Sequence, residues 1–91
     1  MTDALLVSTR TVLKKTLRIA GIKPQPEKLV DSARITARLP DGRIEPLLWL
    51  YRYDPDWDRV FRFREQVILP RGTAVEASHP LRYYLETLKA P

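Results

Sequence analysis

From Arg34 to Leu39 the chain alternates strictly, with Ile35, Ala37 and Leu39 apolar and Arg34, Thr36 and Arg38 polar. A period of two marks a half-buried strand, because successive side chains leave opposite faces of a pleated backbone. The run stops at Pro40-Asp41-Gly42-Arg43 and resumes at Ile44 and residues 47–53. Proline is preset for a turn and glycine tolerates positive φ, so this segment predicts a hairpin with Gly42 as a structural residue. Residues 60–64 and 66–69 read as further strands with Phe61 and Phe63 on one face. Pro70-Arg71-Gly72 then turns the chain into residues 73–77, which gives Gly72 the same role. The expected interior is Ile35, Ala37, Leu39, Leu48, Leu50, Phe61, Phe63 and Val75.

Upstream, Leu13, Leu17 and Ile19 against Lys14, Thr16 and Arg18 predict a strand over residues 11–19, interrupted in pattern by Lys15. Gly21-Ile22-Lys23-Pro24-Gln25-Pro26-Glu27 is expected to be a loop, since its two prolines lack a donor and restrict the residues before them. At the other end, Ser78 as cap, Pro80 in the first turn and an apolar stripe of Leu81, Tyr84, Leu85 and Leu88 predict a short helix over residues 78–90. The organisation expected is one domain over residues 1–91. It is mainly β and antiparallel, with a strand-rich core at 11–77 and that C-terminal helix closing one end of the sheet assembly.

A chain of 91 residues without cysteine holds neither a disulfide nor a thiolate metal site, and domains of this size hide only about two-thirds of their unfolded surface. Stability has to come from apolar burial and backbone hydrogen bonds, with a partner as one further source open to it. The longest apolar runs fall well below the roughly 20 residues that cross a bilayer. Asp3 precedes the apolar run 4–7 and the basic residues follow it, the reverse of a secretory signal. A cytoplasmic location is therefore expected, unless the chain belongs to a larger exported protein. Sixteen basic and eleven acidic side chains leave a net charge of +5, and residues 1–30 carry six basic against two acidic groups, net +4. Lys14, Lys15, Arg18 and Lys23 form the candidate basic contact patch for an anionic partner.

The turns and one tryptophan also carry a resemblance. Leu39-Pro40-Asp41-Gly42, Leu47-Leu48, Tyr53-Asp54-Pro55-Asp56-Trp57, Phe61 with Phe63, and Leu69-Pro70-Arg71-Gly72-Thr73 resemble the C-terminal domain of copper type II ascorbate-dependent, peptidylglycine-hydroxylating monooxygenases, especially its bacterial relatives. The resemblance covers about half the chain. It implies a jelly-roll β-sandwich in which Trp57 folds back to close the core. The family's copper ligands do not carry over. Its histidine-x-histidine pair belongs upstream of Arg34, where this chain has Lys23-Pro24-Gln25-Pro26, and the only methionine is Met1.

Other chemistry is sparse. One histidine, His79, cannot supply the three or more ligands of a copper or zinc centre, and it is read as a surface or helix-start residue. Ser8, Ser32 and Ser78 have a single imidazole to share and no glycine-flanked elbow. Asp54, Asp56, Asp58 and Glu65 match the first, third, fifth and twelfth places of a calcium loop, but Arg59 occupies the place where the turn needs glycine. These carboxylates are expected instead to pair with Arg59, Arg62 or Arg52. Arg34 with Arg38 and Arg62 with Arg64, interleaved with Tyr51, Tyr53, Phe61 and Phe63, raise a second reading as a small nucleic-acid-binding protein. A metal- or calcium-binding domain is the third. The leading expectation is a non-enzymatic structural or protein-interaction domain without cofactor, working as a homo-oligomer or within a larger complex, because so few strands leave edges to cover.

Overall fold

The computed structural model describes the backbone of residues 2–88 and the side chains of residues 4–88. Its elements are β1 (Thr2–Ser8), β2 (Arg10–Val12), β3 (Leu17–Pro24), β4 (Val30–Arg38), β5 (Ile44–Tyr53), a 3-10 turn (Pro55–Trp57), β6 (Phe61–Leu69), β7 (Ala74–Ala77) and β8 (Arg82–Leu88). The described residues make two antiparallel four-stranded sheets, ordered β1-β8-β3-β6 and β2-β7-β4-β5. β1 pairs with β8, β2 with β7, β3 with β6 and β4 with β5. The chain is thus one long hairpin, folded at the β4–β5 turn, whose successive strand pairs pass alternately to one sheet and the other. Pairings of β3 with β8 and β4 with β7 close each sheet.

The hairpin tip follows from its sequence. The Gly42 amide donates to the Leu39 carbonyl and the Leu39 amide to the Arg43 carbonyl. Gly42 takes φ +94° and Gly72, at the other turn, φ +91°, a region that costs residues with a Cβ about 1–2 kcal/mol. Asp41 accepts from the Arg43 amide at 3.0 Å and meets its guanidinium at 2.7 Å. The hydrogen bond from that amide, joined by the guanidinium, holds the Asp41 carboxyl below its usual pKa.

One core lies between the sheets. Ile35, Ala37, Leu39, Leu50 and Val75 are buried as expected, and Leu48, Phe61 and Phe63 pack against them half-buried. Val7, Ile19, Ile22, Leu69, Tyr83 and Leu85 complete the interior from the first sheet.

Five expectations are corrected. The strand placed at 11–19 divides into β2, a turn and β3, because the pattern break at Lys15 lies in that turn. The strand-rich region extends beyond 11–77, to β1 at the start and β8 at the end. The segment from Gly21 is not all loop: Gly21, Ile22, Lys23 and Pro24 pair with β8. Gln25 donates its amide to Arg82 of β8 at 2.8 Å, so the nitrogen of Pro24 points the other way. There the pairing with β6 has already ended at Ile22, and the missing donor is not needed.

The expected helix at 78–90 is a strand over Arg82–Leu88, and its last positions, Lys89 and Ala90, lie outside the described residues. Leu81, Tyr83 and Leu85 are buried while Arg82 is exposed, so the run also has a period of two. An isolated helix of that length is marginal in water, whereas a strand here pairs on both sides, with β1 and β3.

Trp57 does not close the core. It is 51% exposed and meets the buried Tyr53 edge-on, with ring centroids 5.4 Å apart. The 3-10 turn that carries it starts at Asp54, whose carboxylate accepts from the Asp56 amide at 2.9 Å, and no residue of the turn is buried. Replacing Trp57 by alanine is therefore expected to cost about 0.5–1.5 kcal/mol, the worth of an aromatic pair. Urea unfolding measures this, and a loss of about 3–5 kcal/mol would be that of a core aromatic.

Two further outcomes follow from packing. Thr73 is fully buried and its hydroxyl has no hydrogen-bond partner among the described residues. Thr73→Val keeps the shape and removes the stranded hydroxyl, so it is expected to stabilise by roughly 1 kcal/mol in the same assay. A Cβ built on Gly21 would stand 2.7 Å from the Phe61 carbonyl oxygen of β6. Backbone cannot yield as a side chain tip does, so Gly21→Ala is expected to destabilise by about 1–3 kcal/mol.

Candidate interaction surface

The outer face of β4 and β5 is built by the same alternation that fills the core. Ala33, Ile35 and Ala37 of β4 point inward and are buried, leaving Ser32, Arg34 and Arg38 exposed. On β5 their cross-strand partners are Tyr51, Trp49 and Ile44. Trp49 is 61% exposed, Tyr51 65% and Ile44 58%. A register shift sets Leu48 opposite Ile35 and Pro46 opposite Thr36, and a shallow concavity of about 360 Å³ opens between Arg34, Thr36, Pro46 and Trp49.

These exposed rings are held in place. The Trp49 indole donates to the Ser32 hydroxyl at 3.1 Å, and its ring lies 6.2 Å from that of Tyr51. The Arg34 guanidinium sits 5.7 Å above Trp49 and that of Arg52 5.9 Å above Tyr51. Arg52 adopts φ +48°, a local reversal that leaves Tyr51 and Arg52 both exposed and returns Tyr53 to the core. Among the described residues no carboxylate forms a salt bridge with Arg34, Arg38 or Arg52. The surface combines braced aromatics with guanidiniums whose charge is uncompensated, and braced side chains lose less freedom on binding.

The residues singled out from sequence are dispersed. Lys14 and Lys15 lie in the turn between β2 and β3, Arg18 is exposed on β3, and Lys23 stands near the far end of that strand. Arg18 and Lys23 are five strand steps apart, roughly 16 Å. Lys23 is bonded to Asp58 at 3.0 Å, and that hydrogen bond together with the carboxylate charge raises its pKa. Arg34 and Arg38 belong to one sheet and Arg62 and Arg64 to the other, so they make no common stripe. Of the interleaved aromatics, Tyr53 is buried, Phe61 and Phe63 pack on the core, and Tyr51 alone is exposed.

The calcium-loop carboxylates also have other work. Asp54 caps the 3-10 turn, Asp58 holds Lys23, and Glu65 lies on β6. The expected arginine partners are not those found: Arg62 pairs with Glu86 at 3.3 Å, Arg59 lies over Trp57, and Arg52 over Tyr51. Among the described residues no three His, Asp or Glu side chains gather as a metal site. His79 is exposed with Nδ1 3.1 Å from the neighbouring Ser78 hydroxyl, which accepts from the Arg34 amide. A wider concavity of about 600 Å³ lies beside it, between the link from β3 to β4 and that from β7 to β8. Its walls carry an ion pair, Glu27 with Arg82 at 3.3 Å.

Trp49 was the residue that sequence reasoning passed over. Its signal was parity: it stands between the inward Leu48 and Leu50, and so faces outward beside Arg34.

No helix among the described residues is long and apolar enough to cross a membrane. In comparisons with known proteins no family model matches the chain, and neither a curated protein nor a solved structure matches it.

Proposed function

We propose that the chain is a non-enzymatic interaction module of jelly-roll type that docks a protein partner on the outer face of β4 and β5. The observation that carries this reading is the exposed Trp49–Tyr51 pair, braced by Ser32, Arg34 and Arg52. Tryptophan, tyrosine and arginine dominate the energetics of protein interfaces, since they offer large area and directed hydrogen bonds at modest entropic cost. The uncompensated guanidiniums favour a partner with an apolar centre and acidic rim. The nested winding of the hairpin supports the jelly-roll assignment. The turns at Gly42 and Gly72 support the resemblance to the monooxygenase C-terminal domain, shared here as a scaffold without its copper ligands.

A second reading places single-stranded nucleic acid on the same face. Aromatic rings beside arginines are also the platform on which bases stack, and the face offers Arg34, Arg38 and Arg52 beside Trp49 and Tyr51.

Salt separates the two. Neutralising three phosphates gives a slope of about −2 in log–log salt dependence, so oligonucleotide affinity would fall roughly 20-fold between 50 and 200 mM. Apolar docking is not screened in this way. Oligonucleotide anisotropy is expected to show no such binding. A partner captured from the source cell at high salt and identified by mass spectrometry is expected to bind the purified chain. Trp49→Ala with Tyr51→Ala should lower that affinity by about 100-fold or more, with stability changed by less than about 1 kcal/mol. A partner that binds the double variant as tightly as the wild type, or oligonucleotide binding with the steep slope, would overturn the reading.

A further inference from the structure

The four sheet edges are not alike. β6 carries Arg62, Arg64 and Glu65, and its register jumps from Val67 to Arg62 while β3 advances only from Ile19 to Gly21. β5 is interrupted by Pro46, by a register shift and by the positive φ of Arg52. β2 is three residues long. Proline, bulges, charge and shortness are the devices that stop an edge from recruiting another strand. β1 has no proline and no bulge, runs for seven residues and carries a single charge, at Asp3. It pairs with β8 without a shift from Thr2↔Leu88 to Ser8↔Arg82, and its sequence TDALLVS holds no proline, glycine or basic residue.

Two side chains on this edge are also left uncovered. Leu5 stands opposite the buried Leu85 and so shares its inward parity, yet it is 39% exposed. The strand that should cover it from the second sheet is the short β2. Leu6, opposite Tyr84 on the outer face, is 50% exposed.

We propose that β1 pairs antiparallel with β1 of a second copy, joining the two β1-β8-β3-β6 sheets into one eight-stranded sheet. An antiparallel pair centred on Leu5 is two-fold symmetric, so each copy presents the same surface and the assembly closes as a dimer. Charge fits a self-partner: the strand's one charged residue, Asp3, stands opposite the partner's Val7, and no like charges meet in a protein of net +5. A basic or acidic partner strand would gain little from so neutral an edge. The pairing supplies backbone partners along β1 and covers Leu5 with its own equivalent. It is independent of the face formed by Trp49 and Tyr51.

The test is molecular mass by light scattering at micromolar concentration, in low and high salt, on the full chain. The mass expected is twice the 10.6 kDa of one chain, unchanged by salt. Leu6→Lys, a change at a half-exposed position, should raise the dissociation midpoint about tenfold or more with the circular dichroism spectrum kept. Trp49→Ala should leave the mass doubled. Because the chain lacks cysteine, Leu5→Cys gives one thiol at the two-fold axis and should form an intermolecular disulfide on oxidation, while a cysteine at Trp49 should not. A monomeric wild type overturns the proposal. So does a dimer that Leu6→Lys leaves intact and Leu5→Cys fails to link.

Discussion

Thr9 is where the two sheets become one molecule. The chain leaves β1 in one sheet and enters β2 in the other at this residue, and the partner strands β8 and β7 cross in the opposite sense beside it. Thr9 donates its amide to the Leu81 carbonyl, and its hydroxyl accepts from the Leu81 amide. Its carbonyl accepts from the Ala77 amide and from the Tyr83 hydroxyl at 2.9 Å. These bonds hold a β-branched residue at φ +62°, a conformation that costs of order 1–3 kcal/mol by itself. Tyr83 donates as a neutral phenol, and burial, with the charge of Glu76 second, moves its pKa further up.

The other crossings repeat the arrangement with less backbone bonding. Where β2 passes to β3 and β6 to β7, Leu13 exchanges amide and carbonyl bonds with Thr73 and Gly72, and Thr16 accepts from the Arg71 amide. Where β3 passes to β4 and β5 to β6, the tie is the ion pair of Lys23 with Asp58, and within the β5–β6 connection Tyr53 accepts from the Arg59 amide. Every crossing joins segments far apart in sequence, so the fold closes through contacts that cost loop entropy before they stabilise anything.

A sandwich this small fills its interior and has apolar residues left over. Ile44, Trp49, Tyr51 and Ile68 lie exposed on strands whose inward neighbours are buried or packed on the core. Surface leucines occur singly in any protein, but a braced tryptophan and tyrosine side by side are an organised feature. The outer face of β4 and β5 brings these two rings together with Ser32, Arg34 and Arg52. The positive charge of the N-terminal third is spread over β2, β3 and the connections after them, with Arg10 and Lys23 in ion pairs.

What the sequence determined by itself was everything local. Alternation over residues 34–39, the turns at Gly42 and Gly72 and the inward set Ile35, Ala37, Leu39, Leu50 and Val75 follow from φ preference and pleat parity, which a few neighbouring residues decide. The pairing partners were decided by the tertiary structure. Residues 81–88 satisfy helical and strand periods alike, and only a place between β1 and β3 selects the strand. Pro24 sits in a ladder because its nitrogen faces a side where β6 has ended. Trp57 rests half-exposed on Tyr53 because its 3-10 turn lies outside the sheets. Trp49 and Arg34 are far apart in the chain and become neighbours only through the register of β4 with β5. Periodicity states which way a side chain points, and long-range register alone states what it then meets.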